Sequence, residues 1–183
     1  NRLYPVVYFV GITGNKTIRE LASKIDREIN DNTLPPMILA FLPGKDTATI
    51  KKQIADLDSK IRVRKGFRLR AIAGFREEAP VALLLSLTPE TFGTCILTDG
   101  FITGDQVKKM INGNSKEILK RTLVIIDAPC HGSFYEGNGN LHIQLRERDI
   151  QHEYRVMEGN GGEEWAVKSL DEIMKFTAKR FHK

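Results

Sequence analysis

The sequence predicts an α/β domain of three layers, with helices on both faces of a mostly parallel sheet of about six strands. Apolar runs of strand length alternate with segments whose apolar residues recur at helical spacing. The strand runs are apolar at consecutive positions, so both faces of each strand must be covered, as in a parallel sheet. A chain of 183 residues, 41% hydrophobic, is long enough for one such core and short for two, so residues 1–183 are read as one domain.

Taken in order, residues 4–10 (YPVVYFV) are rich in β-branched and aromatic side chains and form the first strand. Over 17–30, Ile18, Leu21, Ala22, Ile25 and Ile29 fall on one helical stripe. MILAFL at 37–42 is the second strand, followed by a helix whose Ile50, Ile54, Leu57 and Ile61 share a face. RLRAIAG at 68–74 is the third strand and PVALLLSL at 80–87 a helix. TCILT at 94–98, a helix over 104–111, a short turn before Leu119 and LVIID at 123–127 repeat the unit. A helix over 138–147, the strand HEYRVM at 152–157 and an amphipathic helix over 165–181 complete the chain. GNG at 137–139 and GNGG at 159–162 read as glycine-rich turns, and no repeat or long linker interrupts the pattern.

The net charge of +5 comes from 28 basic and 23 acidic residues that are interspersed along the chain, which argues against a nucleic-acid partner. The densest basic stretch, KIRVRKGFRLR at 60–70, reads as a helix end and a loop entering a strand. No apolar run is long enough to span a bilayer, and NRLYPVVYFVG lacks the build of a signal peptide. A chain that opens inside its first strand fits an excised domain of a secreted or periplasmic protein, so the compartment stays open. Cys95 and Cys130 fall at opposite ends of neighbouring parallel strands, too far apart to bond.

In such sheets, sites lie beyond the carboxyl ends of the strands, here after Val10, Leu42, Gly74, Thr98, Asp127 and Met157. The segment RAIAGFREEAPVALLLSLTPETFGTCILTDG is joined by YPVVYFVG, LPPMILAFLPG at 34–44 and the stretch 133–181. Together they resemble the esterase branch of the α/β-hydrolases that includes S-formylglutathione hydrolase, feruloyl and acetylxylan esterases and enterochelin esterase. The resemblance covers nearly the whole chain. It implies a Ser-Asp-His triad in that chain order, with the serine in a G-x-S-x-G turn.

Here that turn reads Gly74, Phe75, Arg76, Glu77, Glu78, which puts Arg76 at the serine position. The triad acid aligns with Ser133 in CHGSF, give or take one residue, and the histidine with Glu163 in GGEEW. A guanidinium cannot attack a carbonyl, and no imidazole or orienting acid stands in the usual places. The small residues that let such a turn close and let its helix approach the sheet are represented by Glu78 and Ala79, and Glu77 and Glu78 suit the first turn of a helix. The loop that begins His-Gly in relatives starts Val10, Gly11. GITGN at 11–15 carries neither a P-loop lysine nor a dinucleotide fingerprint and reads as a turn.

The resemblance also implies a sheet without the two leading hydrolase strands, ordered 2-1-3-4-5-6. That order puts the strand from Met37 to Leu42 at an edge, where a neighbouring domain, a second copy or an upstream segment should cover it. The function expected is a catalytically inactive esterase-like domain acting as a binding or structural module of a larger carbohydrate-related or envelope protein. Arg76, Asp99, His131, Ser133, Asn160 and Glu163 would line a retained cleft for a small anionic or carbohydrate-derived ligand. Otherwise Arg76 pairs with Glu163 or Asp99 and plugs it. The alternative is an active carboxylic-ester hydrolase built on His131, Ser133 and Asp99. His142, His152 and His182 read as surface positions without metal-ligand spacing, and neither metal nor cofactor is expected.

Overall fold

Six strands pair in parallel throughout, in the order β2-β1-β3-β4-β5-β6. They are β1 (Val6–Val10), β2 (Ile38–Leu42), β3 (Arg70–Phe75), β4 (Thr94–Thr98), β5 (Leu123–Pro129) and β6 (His152–Met157). Seven helices connect them in a computed structural model that describes residues 2–111 and 113–181: α1 (Asn15–Asn30), α2 (Thr47–Lys60), α3 (Ala79–Ser86), α4 (Gly104–Met110), α5 (Gly113–Leu119), α6 (Tyr135–Arg146) and α7 (Gly162–Phe181). The order and the three layers are those expected from the sequence.

Alternation along each strand builds two cores. Val6, Tyr8, Val10, Ile72, Cys95, Leu97, Val124 and Ile126 face α2, α3, α4, α5 and α6, whereas Val7, Phe9, Ala71, Ala73, Ile96 and Ile125 face α1 and α7. This double burial is why the strands read as unbroken apolar runs. Parallel register then lines up the carboxyl ends: Val10 pairs with Gly74, Phe75 with Thr98, and Thr98 with Asp127. The residues that follow these ends face one another across a common edge.

Several boundaries differ from the sequence reading. Tyr4 forms only an isolated bridge to Val63, because Pro5 lacks the N–H that a strand needs. A 3-10 turn, Phe67–Leu69, occupies the expected start of β3. The GNG segment is not a turn: α6 begins at Tyr135 and runs through it. Gly137 lets that helix lie close to the backbone of Ile102, whose carbonyl oxygen would be 3.2 Å from a methyl group there, and the Asn138 side chain donates to Phe134 O at 2.7 Å. Tertiary packing here overrides the poor helix propensity of glycine.

Within the basic stretch, Arg70 turns inward and pairs with Asp58 at 2.8 Å, and Tyr8 donates its hydroxyl to the same carboxylate. Cys95 and Cys130 are both free thiols. His142 and His152 are not solvated surface side chains; each is half-buried and they contact each other. His182 lies outside the described residues. Strand β2 is an edge of the sheet, bracketed by Pro36 and Pro43, and its Leu39 and Phe41 line a groove of about 400 Å³ beside α1. Among the described residues no helix is long and apolar enough to cross a membrane.

Sheet and helix meet closely at Gly74, where a methyl group would lie 2.7 Å from both Ala79 Cα and Ala82 Cβ. Gly74→Ala is expected to destabilise the fold by about 1–3 kcal/mol, because α3 must move off β3 to make room. Urea denaturation of the variant checks this.

Candidate active-site crevice

Arg76 stands at the centre of the common edge. The chain leaves β3 and turns at once into a 3-10 turn, Arg76–Glu78, that feeds α3. Turning so sharply puts Arg76 at φ +52°, a left-handed conformation that costs a non-glycine residue about 1–2 kcal/mol. Its carbonyl is held by Phe101 N–H at 2.9 Å. Glu77 and Glu78 belong to this turn, not to the first turn of α3, where Pro80 stands instead. Glu78 leans on the loop after β1: Gly11, at φ +93°, has no space for a side chain between Phe75 O and Glu78.

The Arg76 guanidinium is matched from two sides. Its Nη1 lies 3.4 Å from Asp99 Oδ2 and its Nε 3.5 Å from Glu77 Oε2, while its Cζ sits 4.9 Å from the centre of the Phe134 ring. Phe134 in turn packs on Phe101, with ring centres 5.0 Å apart. Asp99 is only 1% exposed, and its Oδ2 also accepts from Gly162 N–H at 3.1 Å. Burial raises its pKa, opposed by the Gly162 N–H and Arg76 and reinforced by Glu77. The turns at 130–133 and 159–162 close around this carboxylate. A methyl group at Gly161 would be 2.5 Å from Oδ2, and one at Gly132 would be 3.1 Å from Oδ1.

Glu163 takes a different partner. It accepts a short hydrogen bond from the Thr17 hydroxyl and lies against Gly14, so it ties the first turn of α7 to the first turn of α1. Of the two pairings expected for Arg76, the structure contains the one with Asp99. His131, Ser133 and Asn160 sit on exposed turns at the rim. Among the described residues no hydrogen bond links His131, Ser133 and Asp99 to one another.

Asp127 was visible in the sequence only as the polar end of an apolar run. It is fully buried one strand from Asp99, whose backbone N–H donates to Asp127 O at 2.8 Å, and among the described residues neither of its carboxylate oxygens has a hydrogen-bond partner at ordinary distance. Burial pushes its pKa up to about 6, with Ser169 and Arg155 pulling down and Asp99 pushing further up. Thr17 and Phe134 likewise gave no sequence signal, because each acts only through a distant partner.

No family-level sequence profile matches this chain, and no curated protein sequence matches it. Solved structures do. A ferulic acid esterase superposes with a TM-score of 0.84 at 16% identity, over 98% of this chain and 86% of its own. S-formylglutathione hydrolase from Staphylococcus aureus gives 0.74 at 12% identity, over 97% and 85%. The enterobactin esterase of Shigella flexneri gives 0.72 at 13% identity, over 100% of this chain and 54% of its own. The chain therefore has the α/β-hydrolase fold of these esterases, the fold that the sequence resemblance implied.

Two predictions follow from the geometry of the crevice. Arg76→Ala leaves Asp99 without its cation and keeps the left-handed turn, whereas Arg76→Gly relieves the turn. Thermal denaturation should show both variants destabilised and the glycine variant the more stable by about 0.5–1 kcal/mol. For Asp127, a folded pKa of about 6 against an ordinary 3.8 means that the native state binds the proton more tightly than the unfolded chain. The stabilisation is complete below about pH 4 and is lost as pH rises through 6. Asp127→Asn should therefore be more stable than the parent by about 1–3 kcal/mol at pH 7.5, with the advantage gone at pH 4, measured by urea denaturation across that range.

Proposed function

We propose that this chain is a catalytically inactive esterase-like domain that serves as a structural or binding module. The observation that carries the reading is Arg76, on the turn after β3 where the resemblance places a serine, with its charge matched by Asp99 and Glu77. An enzyme of this fold needs a nucleophile, a base and an orienting acid within mutual reach. This crevice has instead an ion pair over a buried carboxylate, and a second latch from Glu163 to Thr17 that joins the loops after β1 and β6. The plugged form of the crevice is favoured over a retained anion site. Glu77 and Asp99 already engage this arginine, so an added anion meets repulsion. A neutral, carbohydrate-derived ligand at the rim of Asn160, His131 and Ser133 is the binding reading compatible with these charges.

The second reading is an ester hydrolase built on His131, Ser133 and Asp99. One feature favours it: the loop carrying His131 and Ser133 lies against Asp99 through Gly132, beside the Asp99 oxygen that has no hydrogen-bond partner. Assays with p-nitrophenyl acetate and with feruloyl and acetyl esters separate the readings. The inactive domain turns over none of them above the buffer rate, and Ser133→Ala changes nothing. Turnover that Ser133→Ala abolishes would establish the hydrolase and overturn the first reading.

A further inference from the structure

The amino edge of the sheet, opposite the crevice, is crowded with basic side chains. Register lines up the starts of four strands there, with Val6 beside Arg70, Ala71 beside Thr94 and Thr94 beside Leu123. The basic stretch at 60–70 crosses this edge. Its backbone bonds to Tyr4 on both sides of Val63: Tyr4 N–H donates to Arg62 O at 2.9 Å and Arg64 N–H to Tyr4 O at 2.8 Å. Val63 is buried, and in extended backbone its neighbours Arg62 and Arg64 point the other way, into solvent. Farther along, Phe67 O accepts from Gly93 N–H at 2.7 Å, and Arg180 of α7 donates to Gly93 O at 3.3 Å and to Arg121 O at 3.5 Å.

These cations are held together without acids. Among the described residues, Arg2, Arg62, Arg64, Lys65, Arg68 and Arg180 take part in no ion pair, whereas Lys60 pairs with Asp56 and Arg121 with Glu90. Several rest on aromatic rings instead. The Arg2 and Arg62 guanidiniums each lie 5.9 Å from the centre of the Tyr4 ring, and those of Arg68 and Arg121 lie 5.8 and 5.7 Å from that of Phe67. Arg64 Nε donates to Leu3 O at 3.2 Å. Burial, with Arg68 beside it, lowers the pKa of Arg180. An anion lying across these groups relieves the repulsion among them.

Neighbouring strands stand about 4.8 Å apart, so the row from β1 to β5 runs on the order of 14 Å, too far for one small anion and suited to a polymer with repeated charges. A guanidinium meets a planar carboxylate with two parallel N–H donors. Tyr4 and Phe67 already carry two guanidiniums each, so neither ring is left open to stack a nucleobase. Leu3 is the only exposed large apolar side chain at this edge among the described residues, too little to seat the domain on a lipid surface. We propose that the amino edge binds a linear polyuronate, its carboxylates lying along Arg2, Arg62, Arg64, Arg68 and Arg180. This site is separate from the crevice and independent of whether the crevice is catalytic.

Calorimetric titration with polygalacturonate at low ionic strength should show binding that neutral dextran does not. Arg62→Gln with Arg64→Gln should weaken it ~10-fold or more, whereas Lys51→Gln with Lys52→Gln, an equal loss of charge at exposed positions of α2, should leave it within about twofold. No binding, an equal loss in both variants, or tighter binding to poly(U) RNA or to phosphatidylglycerol vesicles than to polygalacturonate overturns the proposal. Modification of arginines by phenylglyoxal, read by mass spectrometry on the unsubstituted protein, decides the matter even if a variant fails to fold. Polygalacturonate should protect Arg62, Arg64 and Arg68 and leave the exposed Arg19 and Arg27 of α1 reactive. Uniform protection, or none, overturns the proposal.

Discussion

The crevice depends on the contact between β3 and α3 at Gly74. Ala79 and Ala82 press so closely on the strand that residue 74 can carry no side chain, and the connection between the two elements is a single tight 3-10 turn. The chain can reverse there only if one residue takes a left-handed conformation, and that residue is Arg76. The turn places its side chain at the carboxyl edge of the sheet, where the register of β1, β3, β4 and β5 brings their following loops together. That turn thus presents a guanidinium at the common edge.

Charge accounts for how the surrounding loops are organised. Asp99 and Asp127 are buried side by side at the ends of β4 and β5, and burial alone opposes their ionisation. Arg76 supplies Asp99 with a cation, Gly162 supplies it with an N–H, and the glycines at 132 and 161 allow two loops to close on it. Glu163 and Thr17 hold the first turns of α7 and α1 together, joining the loops after β6 and β1. Among the described residues, the buried Asp99 Oδ1, both Asp127 oxygens, Thr98 Oγ1, Asn138 Oδ1 and Trp165 Nε1 have no hydrogen-bond partner.

Much of the fold was legible because the hydrophobic pattern of a parallel sheet is redundant. The β3 run from Ala71 to Phe75 alternates between two cores, so every position must be apolar or small, and five residues announce a strand. The boundaries were less legible. The helix over Gly137 to Gly139 exists because a glycine there lets α6 lie against the Ile102 backbone, a reason contained in the contact and not in the local sequence. The run HEYRVM, by contrast, matches β6 from end to end.

By itself the sequence determined the layers and the chemical identity of the residue on the turn, because periodicity and side-chain type are properties of the chain; the strand order was implied by the family resemblance. Only the tertiary structure decided the partners. Arg76 pairs with Asp99 across 23 positions, Thr17 with Glu163 across 146, and His142 with His152 where α6 lies beside β6. Pairing at such separations depends on distance in space, and that distance is set by the packing of the two cores against the sheet.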